Sequence, residues 1–209
     1  MNSLLTPLRQ RHIHVGYVLQ SSRPGNGRYF CTPVDQPKLN TIHQAIQKSI
    51  LQTQFTSPLD LDYLVVCDGL SVNKQNIGGI PVPTLNTLVI SAPTTASASQ
   101  SVHIFWHELF HYLEIKSRTY EDHAWQQQFQ GYDEHYGIHL GSDVLLGSGS
   151  RGFINRYSQT FAHEDRAEIA AWLLSDQAMF DDFLSSNNDT LIAQKVRYIK
   201  QKLRYLGVE

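Results

Sequence analysis

Runs of charge are missing from this chain: 17 Lys and Arg against 19 Asp and Glu in 209 residues leave a formal net charge of -2. That balance, with no long run of Lys or Arg, argues against nucleic acid or an anionic membrane as its main partner. Long apolar runs are missing too. No stretch approaches the roughly eighteen consecutive apolar residues that a membrane span requires. The opening MNSLLTPLRQRHIHV lacks a charged segment followed by an apolar one, so no Sec-type signal is expected. The expectation is cytoplasmic residence, or export by a route without such a signal. Cysteine is nearly absent. Cys31 and Cys67 are too few for a disulfide framework and have no CxxC spacing, which reads as two small buried hydrophobes. Internal repeats and low-complexity tracts do not occur.

Hydrophobic residues make up 41% of the chain, enough for a proper core in a single domain spanning 1–209. Its most informative stretch is Val102 to Leu113, VHIFWHELFHYL, which sets His107, Glu108 and His111 inside an almost unbroken apolar helix. A helix apolar all round is buried, and buried imidazole or carboxylate groups cost kilocalories unless partnered. Positions i and i+4 share one helix face. His107 and His111 therefore point the same way, with Glu108 beside them, in the HExxH pattern of two imidazole zinc ligands and an acid-base carboxylate. Ser99 or Ser101 offers an N-cap. The competing explanation is a core helix whose histidines bond backbone carbonyls, which suits one buried histidine better than two and a glutamate.

Around this helix the pattern predicts a mainly sheet segment with one helix over 1–98 and a mainly helical one over 99–209. His12 to Val18 alternates as a half-buried strand, with His12 and His14 on one solvated face. Tyr29 to Thr32 is a short strand, and Thr41 to Phe55 a helix capped by Asn40 or Thr41. Leu61 to Cys67 is an interior strand ending at an Asp68-Gly69 turn, and Thr87 to Ser91 leads toward the motif helix. Between them, Asn76 to Thr84 (NIGGIPVPT) cannot be a central strand, because proline removes ladder donors. It is either an irregular loop or an exposed edge. As an edge beside the motif helix, Gly78, Gly79 and Ile80 would hold an extended peptide substrate by strand addition. Tyr120 to Gly131 reads as a short polar helix. Tyr132 to Arg151 reads as a loop long enough for a flap, its His135 and His139, like His123, being solvated. The later stripes, Met179, Phe180, Phe183 and Leu184, then Ile192, Val196, Ile199 and Leu203, are packing surface.

Zinc on HExxH needs one more protein ligand and an open position. The best supply is FAHEDRAEIAAWLL, Phe161 to Leu174, where Glu164 and Glu168 share a helix face. Their plainer reading is carboxylates favoured near a helix N-terminus, with Thr160 or Ser158 as cap. The sharper one makes Glu164 the ligand and Glu168 an acceptor that orients a ligand histidine. His163 competes as ligand, but its side chain points about a hundred degrees from that of Glu164.

HELFH followed by Tyr157-Ser-Gln-Thr160-Phe-Ala-His-Glu164-Asp-Arg-Ala167 resembles a zincin group: the anthrax lethal factor catalytic domain, the bacterial Pro-Pro endopeptidases and small bacterial regulatory peptidases. The shared feature is a tyrosine seven residues before the glutamate ligand, a spacing that Tyr157 and Glu164 match. Leu109 and Phe110 depart from the small residue those proteins often carry inside HExxH. The resemblance covers the two motif segments. It implies an α+β zincin-like fold, with a small mixed sheet packed on the motif helix and a mainly helical C-terminal part. It also implies a zinc metalloendopeptidase acting on protein or peptide. Zinc on His107, His111 and Glu164 would activate a water and polarise the scissile carbonyl. Glu108 would be the general base, and Tyr157 would donate to the oxyanion. A non-catalytic binding or regulatory domain with a structural zinc is the alternative, distinguished by a fourth protein ligand.

Overall fold

The computed structural model describes residues 14–17, 29–56, 59–130, 135–137 and 143–209. The first elements are β1 (His14–Tyr17), β2 (Tyr29–Thr32), α1 (Gln36–Gln52), β3 (Tyr63–Cys67), β4 (Gly69–Val72), β5 (Gln75–Asn76), β6 (Gly79–Val82) and β7 (Thr87–Ser91). Helices α2 (Ala98–Lys116), α3 (His123–Gln128), α4 (Ala162–Ser175), α5 (Gln177–Ser186) and α6 (Thr190–Tyr205) follow. The class is α+β, with every described strand ahead of α2. Two compact units, Met1–Tyr112 and Leu113–Glu209, divide inside α2. None of the described helices is long and apolar enough to cross a membrane. His12, His139 and Tyr132 lie outside the described residues, as does much of the expected flap.

In the first unit β1, β3 and β7 run parallel, and β6 closes the sheet antiparallel to β7, in the order β1-β3-β7-β6. The interior strand expected at Leu61 to Cys67 is indeed central. Its apolar run buries Leu64, Val66 and Cys67, as a strand flanked on both sides requires. Asp68-Gly69 is not the end of the strand run, however. The Asp68 N–H bonds the Thr32 carbonyl at 2.9 Å, and the chain passes straight into β4, which joins a second sheet, β2-β4-β5.

That second sheet corrects the reading of the cysteines. Cys31 lies opposite Leu70 in the β2/β4 ladder, Cys67 ends β3, and the two form a disulfide closing 36 positions of chain. Both are buried as expected, but neither is free. Their proximity arises from strand pairing distant in sequence, which residue spacing does not reveal. Leu70 is buried with them, and Val65, Ile77, Ile80 and Val89 pack around the bond. Replacing both cysteines by serine is expected to cost about 4 kcal/mol, from the loop closure the bond removes from the unfolded chain. Urea melts of the variant and of the oxidised wild type check it.

Helix starts differ from expectation wherever the cap lies outside the apolar stripe. For α1 the cap is Asp35, whose carboxylate accepts from Lys38 N–H at 2.8 Å, with Pro37 in the first turn. For α2 it is Ser97, not Ser99 or Ser101. Ser97 Oγ accepts from Gln100 N–H at 3.2 Å while Gln100 Oε1 accepts from Ser97 N–H at 2.8 Å, a reciprocal capping box. The motif helix then docks through Trp106, whose indole N–H donates to Ser49 Oγ of α1 at 2.7 Å, and through Tyr112, whose hydroxyl donates to the Asp60 carbonyl.

The second unit is helical, with Phe180, Ile192, Val196, Ile199 and Leu203 buried as the stripes predict, while Met179 is exposed. Buried ion pairs run through it. Arg166 of α4 grips Glu114 with Nε at 2.9 Å and Nη2 at 3.2 Å, and also donates to the Tyr120 carbonyl at 2.7 Å. Lys202 bridges Glu114 at 3.4 Å and Asp122 at 2.7 Å. Burial pushes the Glu114 carboxyl up, a rise that the Arg166 and Lys202 charges oppose. Lys195, fully buried, pairs with Asp165 at 2.6 Å and donates to the Gly152 carbonyl at 2.8 Å.

Candidate metal centre

On α2 the expected side chains are all buried: His107, Glu108 and His111 expose 5%, 7% and 6% of their surface. Leu109 and Phe110, the bulky pair inside the motif, are buried in the core. Helix periodicity turns both imidazoles to one side, and their Nε2 atoms stand 3.1 Å apart. Two imidazole nitrogens on one tetrahedral zinc, each bonded at about 2.0–2.1 Å, stand about 3.4 Å apart. The pair, slightly closer than that, therefore fits a shared cation with a slight narrowing of the angle between the two bonds.

The carboxylate side begins at α4. Phe161, in extended conformation, is the N-cap and no side chain caps the helix. The expected caps are engaged within the preceding turn. Thr160 Oγ1 donates to the Tyr157 carbonyl at 2.7 Å, and Ser158 Oγ donates to the Asn155 carbonyl at 2.7 Å. Glu164 and Asp165 occupy the first helical turn, where the helix dipole favours negative charge. His163 Nε2 lies 3.4 Å from Glu164 Oε1, its ring stacked on Phe161.

Among the described residues one group has the chemistry of a metal site. Ligand atoms of His107, His111 and Glu164 all lie within 4.8 Å of one another. Two imidazoles and a carboxylate are the donor set of catalytic zinc sites, which keep a fourth position open. His163 is not in that group.

Tyr157 is half-buried on the 3-10 turn Tyr157–Gln159, its N–H bonding the Asp143 carbonyl at 3.0 Å. Glu168 is buried, and its Oε2 accepts from Asn155 Nδ2 at 2.6 Å. Sequence reading had no motif by which to single out Asn155. It also passed over Tyr120, whose ring lies 5.1 Å from that of His163. Burial, and then the Glu164 charge, pushes the Tyr120 hydroxyl up to about 12.

Asn76 to Thr84 resolves as β5, the edge strand β6 and a 3-10 turn over Pro83–Leu85. The Ser91 N–H donates to the Gly78 carbonyl at 2.7 Å, and Gly79 pairs with Ile90. Antiparallel ladders alternate bonded and non-bonded pairs, so Gly78 and Ile80 direct their peptide groups to β7 while Gly79 and Pro81 direct theirs to the open side. Pro81 thus costs no ladder bond. Of the three residues expected to bind substrate, only Gly79 offers backbone groups outward.

No family model, no curated protein and no solved structure matches this chain.

Proposed function

We propose that the chain is a zinc-dependent metalloendopeptidase of zincin-like fold, hydrolysing peptide bonds in a protein or peptide substrate. The observation that carries the reading is the joint placement of His107, His111 and Glu164 within 4.8 Å, beside a buried Glu108. Those three residues would hold the zinc, which supplies Lewis acidity toward a water and the scissile carbonyl. Glu108 takes the proton of the attacking water and passes it to the leaving amine. Tyr157 donates its hydroxyl hydrogen bond to the oxyanion. The open side of β6 supports an extended substrate, the Gly79 peptide group and the Pro81 carbonyl supplying its hydrogen bonds. Glu168, buried one turn after Glu164 and accepting from Asn155, keeps in this reading the role of an acceptor that orients a ligand histidine. The Cys31–Cys67 disulfide supports work in an oxidising compartment, and so favours the exported alternative over cytoplasmic residence.

Metal analysis with peptide-library cleavage tests this reading. The expected result is about one zinc per chain and cleavage that stops with chelation and returns with added zinc. A zinc that is retained while no peptide is cut, held by a fourth protein ligand, would instead identify a structural site.

A further inference from the structure

The β6 residue that faces α2 has no side chain, and the space one would take is filled by Glu108. A Cβ built on Gly79 falls 2.4 Å from Glu108 Cγ, 2.7 Å from Cδ and 2.9 Å from Oε1. Separations that short cannot persist; something must move. The same construction on Gly78 meets only Ile104 Cγ2, at 4.0 Å, an ordinary contact. Gly79 is not among the glycines with positive φ, so space and not backbone conformation calls for glycine there.

Neither partner can easily retreat. β6 is in register with β7 from Gly79 to Val82, and Ile80, on the opposite face, packs against the Cys31–Cys67 cluster. Glu108 is on a helix and only 7% exposed, which limits the room its side chain has to swing aside. Its side chain therefore has the bare Gly79 backbone as one wall, and that wall limits its rotamers.

We propose that Gly79 is a positioning residue for Glu108. Its lack of a Cβ lets the edge strand lie against the carboxylate stem and fixes where the base points, a role separate from any hydrogen bond Gly79 offers substrate. This rests on the peptidase reading and deepens it. A displacement of about 1 Å in a reacting group is enough to cost about a hundredfold in rate.

The test is a double-mutant cycle with Gly79→Ala and Glu108→Ala, read by thermal melting, zinc content and steady-state kinetics. Gly79→Ala is expected to lower Tm by about 4 °C in the wild-type background, and by under about 1 °C where Glu108 is already alanine, because the clash has gone. In the single variant zinc content stays at the wild-type value, kcat falls about a hundredfold and KM stays within about threefold. Equal Tm shifts in both backgrounds, zero among them, would overturn the proposal, as would a wild-type kcat in Gly79→Ala. Coupled melting in a wild-type protein that cleaves nothing would remove the catalytic role together with the peptidase reading, while the contact itself would stand.

Discussion

Glu108→Ala is expected to keep its zinc and lose turnover by about 10²–10⁴-fold, the range that general acid-base catalysis supplies. The ligands on either side, His107 and His111, are untouched by the change, and both are held on a helix whose core residues Phe105, Leu109 and Phe110 remain. What disappears is the carboxylate that accepts and returns the proton. The loss therefore falls on kcat and kcat/KM together, with zinc content unchanged. Truncation also removes the side chain that packs against Gly79, while the buried core residues of the helix stay in place. Parallel metal analysis, melting and kinetics check each part. A variant lacking zinc would mean that Glu108 holds the metal site together; one with undiminished turnover would mean that another group is the base.

Arg166→Ala is expected to have the largest effect on stability. Arg166 is 2% exposed, and it satisfies both oxygens of Glu114, which is fully buried. Removing the guanidinium leaves Glu114 with Lys202 at 3.4 Å and takes the donor from the Tyr120 carbonyl. Breaking a buried pair from one side costs about 3–5 kcal/mol. For a chain of this size that is a fall in Tm of about 6–20 °C. The paired change Arg166→Met with Glu114→Leu is expected to recover most of it, because no buried charge then lacks its partner. Arg166 lies two residues after Glu164 and Glu114 three residues after His111. Thermal melts of the two variants beside wild type decide between a pair that matters for stability and one that does not.

Features written in local sequence were legible in this chain. The almost all-apolar surround of His107, Glu108 and His111 predicted a buried helix, and α2 buries all three. The Leu61–Cys67 and Thr87–Ser91 runs predicted strands, and β3 and β7 are the two interior strands of the main sheet. Proline in NIGGIPVPT excluded a central strand, and the open-side register of Pro81 shows how an edge accommodates it. Features that depend on distant pairing were not legible. The cysteines meet only because β2 pairs with β4, far from β2 in sequence. The cap of α2 lies at Ser97, outside the apolar stripe that marked the helix. Asn155 reaches Glu168, and Gly79 reaches Glu108, through folding alone. A short edge strand and a glycine within it leave no periodic signature.

The most direct measurement is the coordination shell of the zinc-loaded protein, by X-ray absorption at the zinc edge together with anomalous diffraction from crystals. The expected shell is two imidazole nitrogens from His107 and His111, one oxygen from Glu164 and one solvent oxygen, with nitrogen and oxygen distances near 2.0–2.2 Å. A fourth protein ligand in place of solvent, or a protein that takes up no zinc at these residues, would contradict the assignment.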